Sequence, residues 1–318
     1  MPNTELPQNT YIIDVSAISL TLQLVSTFYD IEEWKSISLA QDDLLVISRK
    51  AYLPNTKDLL SQLAKTDEGF EIEDNSLKVK GIVTPEYDAY LKYLKTMWEG
   101  QSVQVQKVDR PYPAYTATHN AFALPLAAKA KTENYTTSDG GKVVGCLATQ
   151  QTFAAIDERE EYESAIMLCE DRSLIQFIRP SKESWEVSSI EDFIAIVREM
   201  TFLDFHMLEL DQPLHVYYPK LTDVKVSPNF QFMTDIQGNS KKLDAMVDLC
   251  EFKQLNQLTL DEEGAKMESA SSSSFAIRSL SQPPEFRLED DFLMLLWAAD
   301  EKSLLGAAYI PKALFVGK

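Results

Sequence analysis

Apolar positions recur at helical spacing in three stretches of the chain. Thr84-Pro85 opens one and Gly100 closes it, with Tyr87, Leu91, Leu94 and Trp98 on a single face, where they read as core packing. Asn55 precedes a second, with Leu59, Leu60 and Leu63 turned inward. Ser188 and Glu191 form a capping box ahead of Phe193, Ile194 and Val197. Period-two alternation predicts strands at Val103/Val105, at Leu214/Val216/Tyr218 and at Leu258/Leu260. Ile18, Leu20, Leu22 and Leu24 alternate in the same way. Leu174–Ile178 and Phe292–Leu296 are near-continuous apolar runs, the pattern of strands buried on both faces. Helices gather early and strands late, which predicts an α+β domain with large, mainly antiparallel sheets.

The chain has 318 residues, enough for one large domain or two modest ones, and no linker or composition break divides it, so a single domain over 1–318 is expected. The formal charge is −19, which repels a nucleic-acid backbone or an anionic membrane; neither is an expected partner. No apolar run is long enough to span a bilayer, and MPNTELPQNT has no signal-peptide character. The expectation is a chain that stays inside, leaves by a non-classical route or is already mature. Cys146, Cys169 and Cys250 are too few and too scattered for a disulfide framework or a zinc site, so they read as reduced, buried small apolar residues.

Catalytic constellations are absent: there is no GxSxG, Gly-rich phosphate loop, HExxH or CxxC. His119, His206 and His215 are isolated, and Asp157-Glu158-Arg159-Glu160-Glu161 reads as a solvated helix face. No metal, cofactor or enzyme activity is expected. Asn134-Tyr135-Thr136 is a glycosylation sequon, relevant only to a secreted chain.

One segment does stand out. A strand ending Leu258-Thr259-Leu260-Asp261-Glu262-Glu263-Gly264 runs into a small, polar stretch that contains Ser269-Ala270-Ser271-Ser272-Ser273-Ser274 and then Arg278-Ser279-Leu280. Pro283-Pro284-Glu285-Phe286 and the buried strand from Phe292 follow. A long exposed loop, about 264–284, with one basic residue in its middle is bait for a trypsin-like protease, which holds such a side chain against a buried carboxylate.

At these residues the chain resembles the serpins. Leu258 to Gly264 is similar to the hinge of the serpin reactive loop, and Pro283 to Phe286, Phe292–Leu296, Leu304-Leu305-Gly306 and Pro311 to the C-terminal strands. His119-Asn120-Ala121-Phe122 resembles the Asn-Ala element of the largest sheet. Gly141 through Phe153 resembles the strand region after it, and Val216 to Leu221 the Leu-Pro-Lys-Phe strand. The resemblance covers about 200 residues in consistent order; upstream, Ser16-Ala17-Ile18-Ser19 is only weakly similar to a serpin helix start, against the strand-like alternation of the same segment. It implies a suicide-substrate inhibitor, working as a monomer on a trypsin-like serine protease. Arg278–Ser279, fourteen positions after Gly264, is the implied reactive bond. The implied hinge includes Glu262, Gly264, Ala265, Met267, Ser269 and Ala270. The alternative is a non-inhibitory serpin-like binding protein whose loop is only a substrate or recognition site.

Loop insertion of this kind, for which serpins are themselves the standard example, is strand addition to a sheet. Side chains of the inserted strand must then alternate between core and solvent. Ala265, Met267, Ser269, Ser271, Ser273, Phe275 and Ile277 form one set; Lys266, Glu268 and Arg278, the three charges, all fall in the other. None need be buried, and burying one unpaired would cost several kcal/mol. Met267 is bulkier than hinges of this kind carry. The sequence also departs from the resemblance by length, by a helix missing between Val108 and Asn120, by Ala127-Ala128 where a Trp is usual, and by Gln254 at the sheet-centre His. A reduced helix set is therefore expected.

Overall fold

The computed structural model describes residues 6–53, 69–74, 77–97, 104–157, 159–181, 185–210, 212–266, 284–300 and 302–317. Among these are four α-helices, α1 (Val15–Tyr29), α2 (Leu39–Ser48), α3 (Tyr87–Met97) and α4 (Ile190–Phe202). The predicted helix after Asn55 lies outside the described residues, as do Trp98 and Gly100 at the end of α3.

A seven-stranded antiparallel sheet runs in the order Tyr11–Asp14, Leu304–Ile310, Phe292–Trp297, Leu174–Pro180, Tyr162–Leu168, Thr152–Asp157, Phe205–Met207. Its centre is the two apolar runs, paired side by side with Ile175, Phe177, Leu293 and Leu295 fully buried. Helices α1, α2 and α4 cover one face through Ile18, Leu44, Ile47, Phe193 and Val197. The other face meets a second core, to which Phe177 and Phe292 contribute alongside Leu124, Tyr218 and Leu260 from the remaining sheets.

The second large sheet has six strands, numbered here in chain order: β1 (Phe70–Asp74), β2 (Leu77–Thr84), β3 (Tyr115–Pro125), β4 (Leu221–Val226), β5 (Asn256–Asp261) and β6 (Gly264–Lys266). In space the order is β4-β5-β6-β3-β2-β1, antiparallel throughout.

Several local readings change. The alternation of Ile18, Leu20, Leu22 and Leu24 belongs to a helix. Ile18 and Leu22, four apart, enter the core under the helices; Leu20 and Leu24 enter the core between the sheets. Two opposed i, i+4 pairs on a helix buried on all sides imitate a strand. The capping box of α4 sits one residue later than read: Ser189 caps and Asp192 reciprocates, while Ser188 Oγ also donates to Asp192. Val103 lies outside the described residues; Gln104–Asp109 carries no ladder, and two of its amides bond to tyrosines instead: Val105 N donates to Tyr90 Oη (3.0 Å) and Val108 N to Tyr115 Oη (3.0 Å). Asp157 is not on a helix face. It ends a strand, is buried, and accepts from Arg159 N and Tyr162 N in the turn that follows. Cys146 and Cys169 are buried, but Cys250 is exposed; all three are free. No helix lies between Val108 and Asn120, as expected; the predicted helix α3 covers this sheet, with Tyr90 and Leu94 packing on Ile82 of β2 and on Tyr115 and Ala117 of β3.

Candidate functional site

The candidate site is the lane between β3 and β5. Chain direction reverses after Asp261 through Glu262-Glu263, and β6 returns between the two walls. Asp261 Oδ1 accepts from Glu263 N (2.9 Å), closing the turn. Gly264 is required here on two counts. Its φ is +129°, and a Cβ would lie 2.2 Å from the Leu124 carbonyl oxygen.

The turn is anchored from outside. Glu262 O accepts from Ala130 N (2.9 Å) and Glu263 O from Leu126 N (2.7 Å). Tyr218 Oη donates to Asp261 O (2.8 Å), and Lys220 Nζ lies 2.7 Å from Glu262. Lys220's hydrogen bond holds the Glu262 carboxyl below its usual range, and the same contact raises the ammonium. Lys129 stands 3.5 Å from Glu263. These anchors escaped sequence reasoning, although Tyr218 and Lys220 lie inside the Val216–Leu221 segment singled out on other grounds.

Ala265 is 1 % exposed, between Leu260 and Leu124, which are fully buried. It faces the core, as the alternation requires of its set. The exposure expected of the loop therefore does not extend to Gly264 and Ala265. Met267, Ser269, Ala270, Arg278 and Ser279 lie outside the described residues. The sheet that takes β6 is also not the larger one: among the described residues it has six strands against seven.

Beyond β6 the lane opens into a cavity of about 880 Å³. One wall is 110–121, running from the approach to β3 into its middle; the other is 245–257, running into β5. Among the described residues no ladder joins β3 to β5, so both walls present strand edges that only β6 engages, at Ala123–Pro125 and Thr259–Asp261. The floor includes Ala17 and Thr21 of α1.

Both walls are moored to the start of α1. Gln254, at the expected histidine position, clasps the Asp14 backbone with its amide: Asp14 N donates to Oε1 (3.0 Å) and Nε2 donates to Asp14 O (2.9 Å). Asn256 Nδ2 donates to Ile12 O (2.7 Å), and Asn120 Nδ2 of β3 donates to Asp14 Oδ1 (3.4 Å). A strap crosses the lane beyond these moorings. Gln106 N donates to Glu251 (2.7 Å) and Lys253 Nζ to Gln104 O (3.0 Å), while Tyr87 and Tyr90 of α3 hold Val105. The isolated histidines do not join this site as a group: His206 and His215 sit on strands of other sheets.

Neither a family model nor a curated protein sequence matches the chain. Solved structures do. Serpin48, a highly specific serpin of the insect Tenebrio molitor, matches at 10% identity over 96% of this chain and 92% of its own, with a TM-score of 0.55. A serpin from the trematode Schistosoma haematobium matches at 12% identity over 96% and 95%, TM-score 0.53. Thyroxine-binding globulin in complex with thyroxine matches at 11% identity over 96% and 93%, TM-score 0.51. The chain has a serpin-like α+β fold with several antiparallel sheets. Its neighbours include a protein that carries thyroxine as well as proteins named for serpin action, so the fold alone does not set the activity.

Proposed function

We propose that the chain is a single-domain suicide-substrate inhibitor of trypsin-like serine proteases, cut at Arg278–Ser279, whose freed loop extends β6 down the lane. The observation that carries this is a strand already begun between two walls that, among the described residues, no ladder joins beyond it. Continued one residue for one, the ladder would set Ser271 between Thr118 and Gln254, and Arg278 between Pro111 and Val247. Each of these four residues lines the cavity. With Gly264–Lys266 already in place, about twelve further residues up to Arg278, at ~3.3 Å each, would carry the acylated end roughly 40 Å beyond Lys266. Such a displacement drags the protease with it before its ester is hydrolysed, and the energy comes from a native state trapped above the inserted one.

A second reading, a serpin-like binding protein with a merely cleavable loop, draws on the strap, because the same Glu251 and Lys253 contacts that close the lane would have to break. Incubation with trypsin separates the two. An inhibitor gives an SDS-stable covalent complex and a cleaved form that melts well above the intact one. A passive substrate gives clean cleavage after Arg278 and neither of these. Arg278→Ala should abolish complex formation with Arg-directed proteases; an undiminished complex would place the reactive bond elsewhere.

A further inference from the structure

The mooring of β3 contains a polar atom with nothing to bond. Asn120 is 9 % exposed, and its Oδ1 is buried without a hydrogen-bond partner, while its Nδ2 points to Asp14 Oδ1. A buried amide carbonyl without a donor calls for an explanation. Asp14 itself is 3 % exposed, and an ionised carboxylate can only accept. A neutral carboxyl group, by contrast, carries one O–H, and a carboxylic acid and a primary amide pair through two hydrogen bonds. We propose that Asp14 keeps a proton in the native chain and donates it to Asn120 Oδ1. The resulting acid–amide pair ties β3 to the start of α1 through two hydrogen bonds, and the one to Asn120 Oδ1 is lost when the proton leaves.

The surroundings fit a neutral carboxyl. Facing Asp14 are Asn120 from β3, Gln254 and Asn256 from the β5 side, the Ser16 and Ala17 amides of its own helix, and Gly306 across the neighbouring strand. None of these titrates and none is a cation. His119 precedes Asn120 on a continuous strand, so alternation directs it to the opposite face of the sheet. Burial without a compensating charge pushes the carboxyl up to about 7, and the amides of Ala17, Asn120 and Ser16 only partly oppose it.

The sign follows from linkage. Unfolded, the carboxyl titrates near its ordinary 3.8; folded, it holds its proton to about 7. The native state therefore binds the extra proton between those values, and its stability falls as pH rises through that window and levels off above it. On the inhibitor reading, the lane wall that carries Asn120 is held most firmly at mildly acidic pH and loosens above neutrality. The pair itself does not depend on that reading.

Asp14→Asn is the direct test. Asparagine keeps the helix cap and offers an amide N–H to Asn120 Oδ1 at every pH. The ratio of wild-type to variant unfolding equilibrium constants should change by up to about tenfold per pH unit between roughly 5 and 7, and little above. Independently, the side-chain carboxyl carbon signal of Asp14 in the intact wild-type protein, followed by NMR, should titrate in the neutral range. A carboxyl that titrates near 4 overturns the proposal, as does a variant whose stability profile runs parallel to the wild type's. Should Asp14→Asn fail to fold, the carbon titration decides alone. Neither measurement involves a protease, so a failure here and a failure of the trypsin experiment are separable.

Discussion

Replacing Gly264 with alanine tests the turn that starts β6. The new Cβ would meet the Leu124 carbonyl oxygen at 2.2 Å, and backbone cannot swing aside as the tip of a side chain can. The φ of +129° adds strain of its own. A non-glycine residue in such a conformation costs ~1–3 kcal/mol. Overpacking against fixed neighbours adds ~1–3 kcal/mol more. The sum, about 2–6 kcal/mol, falls on a strand of only three residues, so leaving the sheet is cheaper for β6 than tolerating the clash. At ~1.4 kcal/mol per factor of ten, the population of inserted β6 should fall by roughly 30-fold or more. Amide hydrogen exchange in the intact protein reads this directly. Ala265 and Lys266, and their ladder partners Ala123, Leu124 and Thr259–Asp261, should lose protection by that factor, while the seven-stranded sheet keeps its own. Unchanged protection at Ala265 would show that glycine is not needed there, and the account of the turn would be wrong.

Further predictions address the anchors, the strap and the hinge. Lys220→Ala should cost less than about 1 kcal/mol, since the pair with Glu262 is partly solvated. The Glu262 carboxyl is held below its ordinary 4.5, so the pair's contribution is present above that value and lost as pH falls through the lowered one. Urea midpoints between pH 5 and 3 should then decline less steeply in the variant; parallel declines would deny the pair any role. Changing Glu251 and Lys253 together to alanine removes both bonds to the strap, and the acquisition of heat stability after cleavage at Arg278 should become several-fold faster. An equal rate would mean the strap does not limit insertion. Met267→Ala should raise the fraction of protease trapped as complex, and no change would mean the bulky hinge residue is not limiting.

Much of the frame is legible in the chain because burial on both faces leaves an uninterrupted apolar run. Leu174–Ile178 and Phe292–Leu296 are read as buried strands and turn out to be neighbours. The start of the lane is legible for a different reason: Gly264 and Ala265 obey a parity rule that needs no knowledge of partners. Illegible features are those set by tertiary surroundings. The helix α1 looks like a strand because two cores claim opposite sides of it. Gln104–Asp109 looks like a strand because alternation cannot tell a ladder partner from the tyrosine hydroxyls that replace it. Asp14 is an unremarkable acid in the sequence; only the closing of β3 and β5 around it deprives it of water and of any cation.

The three residues of β6 change the kind of barrier that insertion would face. Starting a new strand normally requires an end to find a slot and fix several dihedral angles before any hydrogen bond rewards it. Here the slider of the zipper is already on its track, with its first teeth meshed at Leu124 and Leu260. What cleavage would release is travel rather than engagement, and the speed of that travel would be set by the strap that crosses its path.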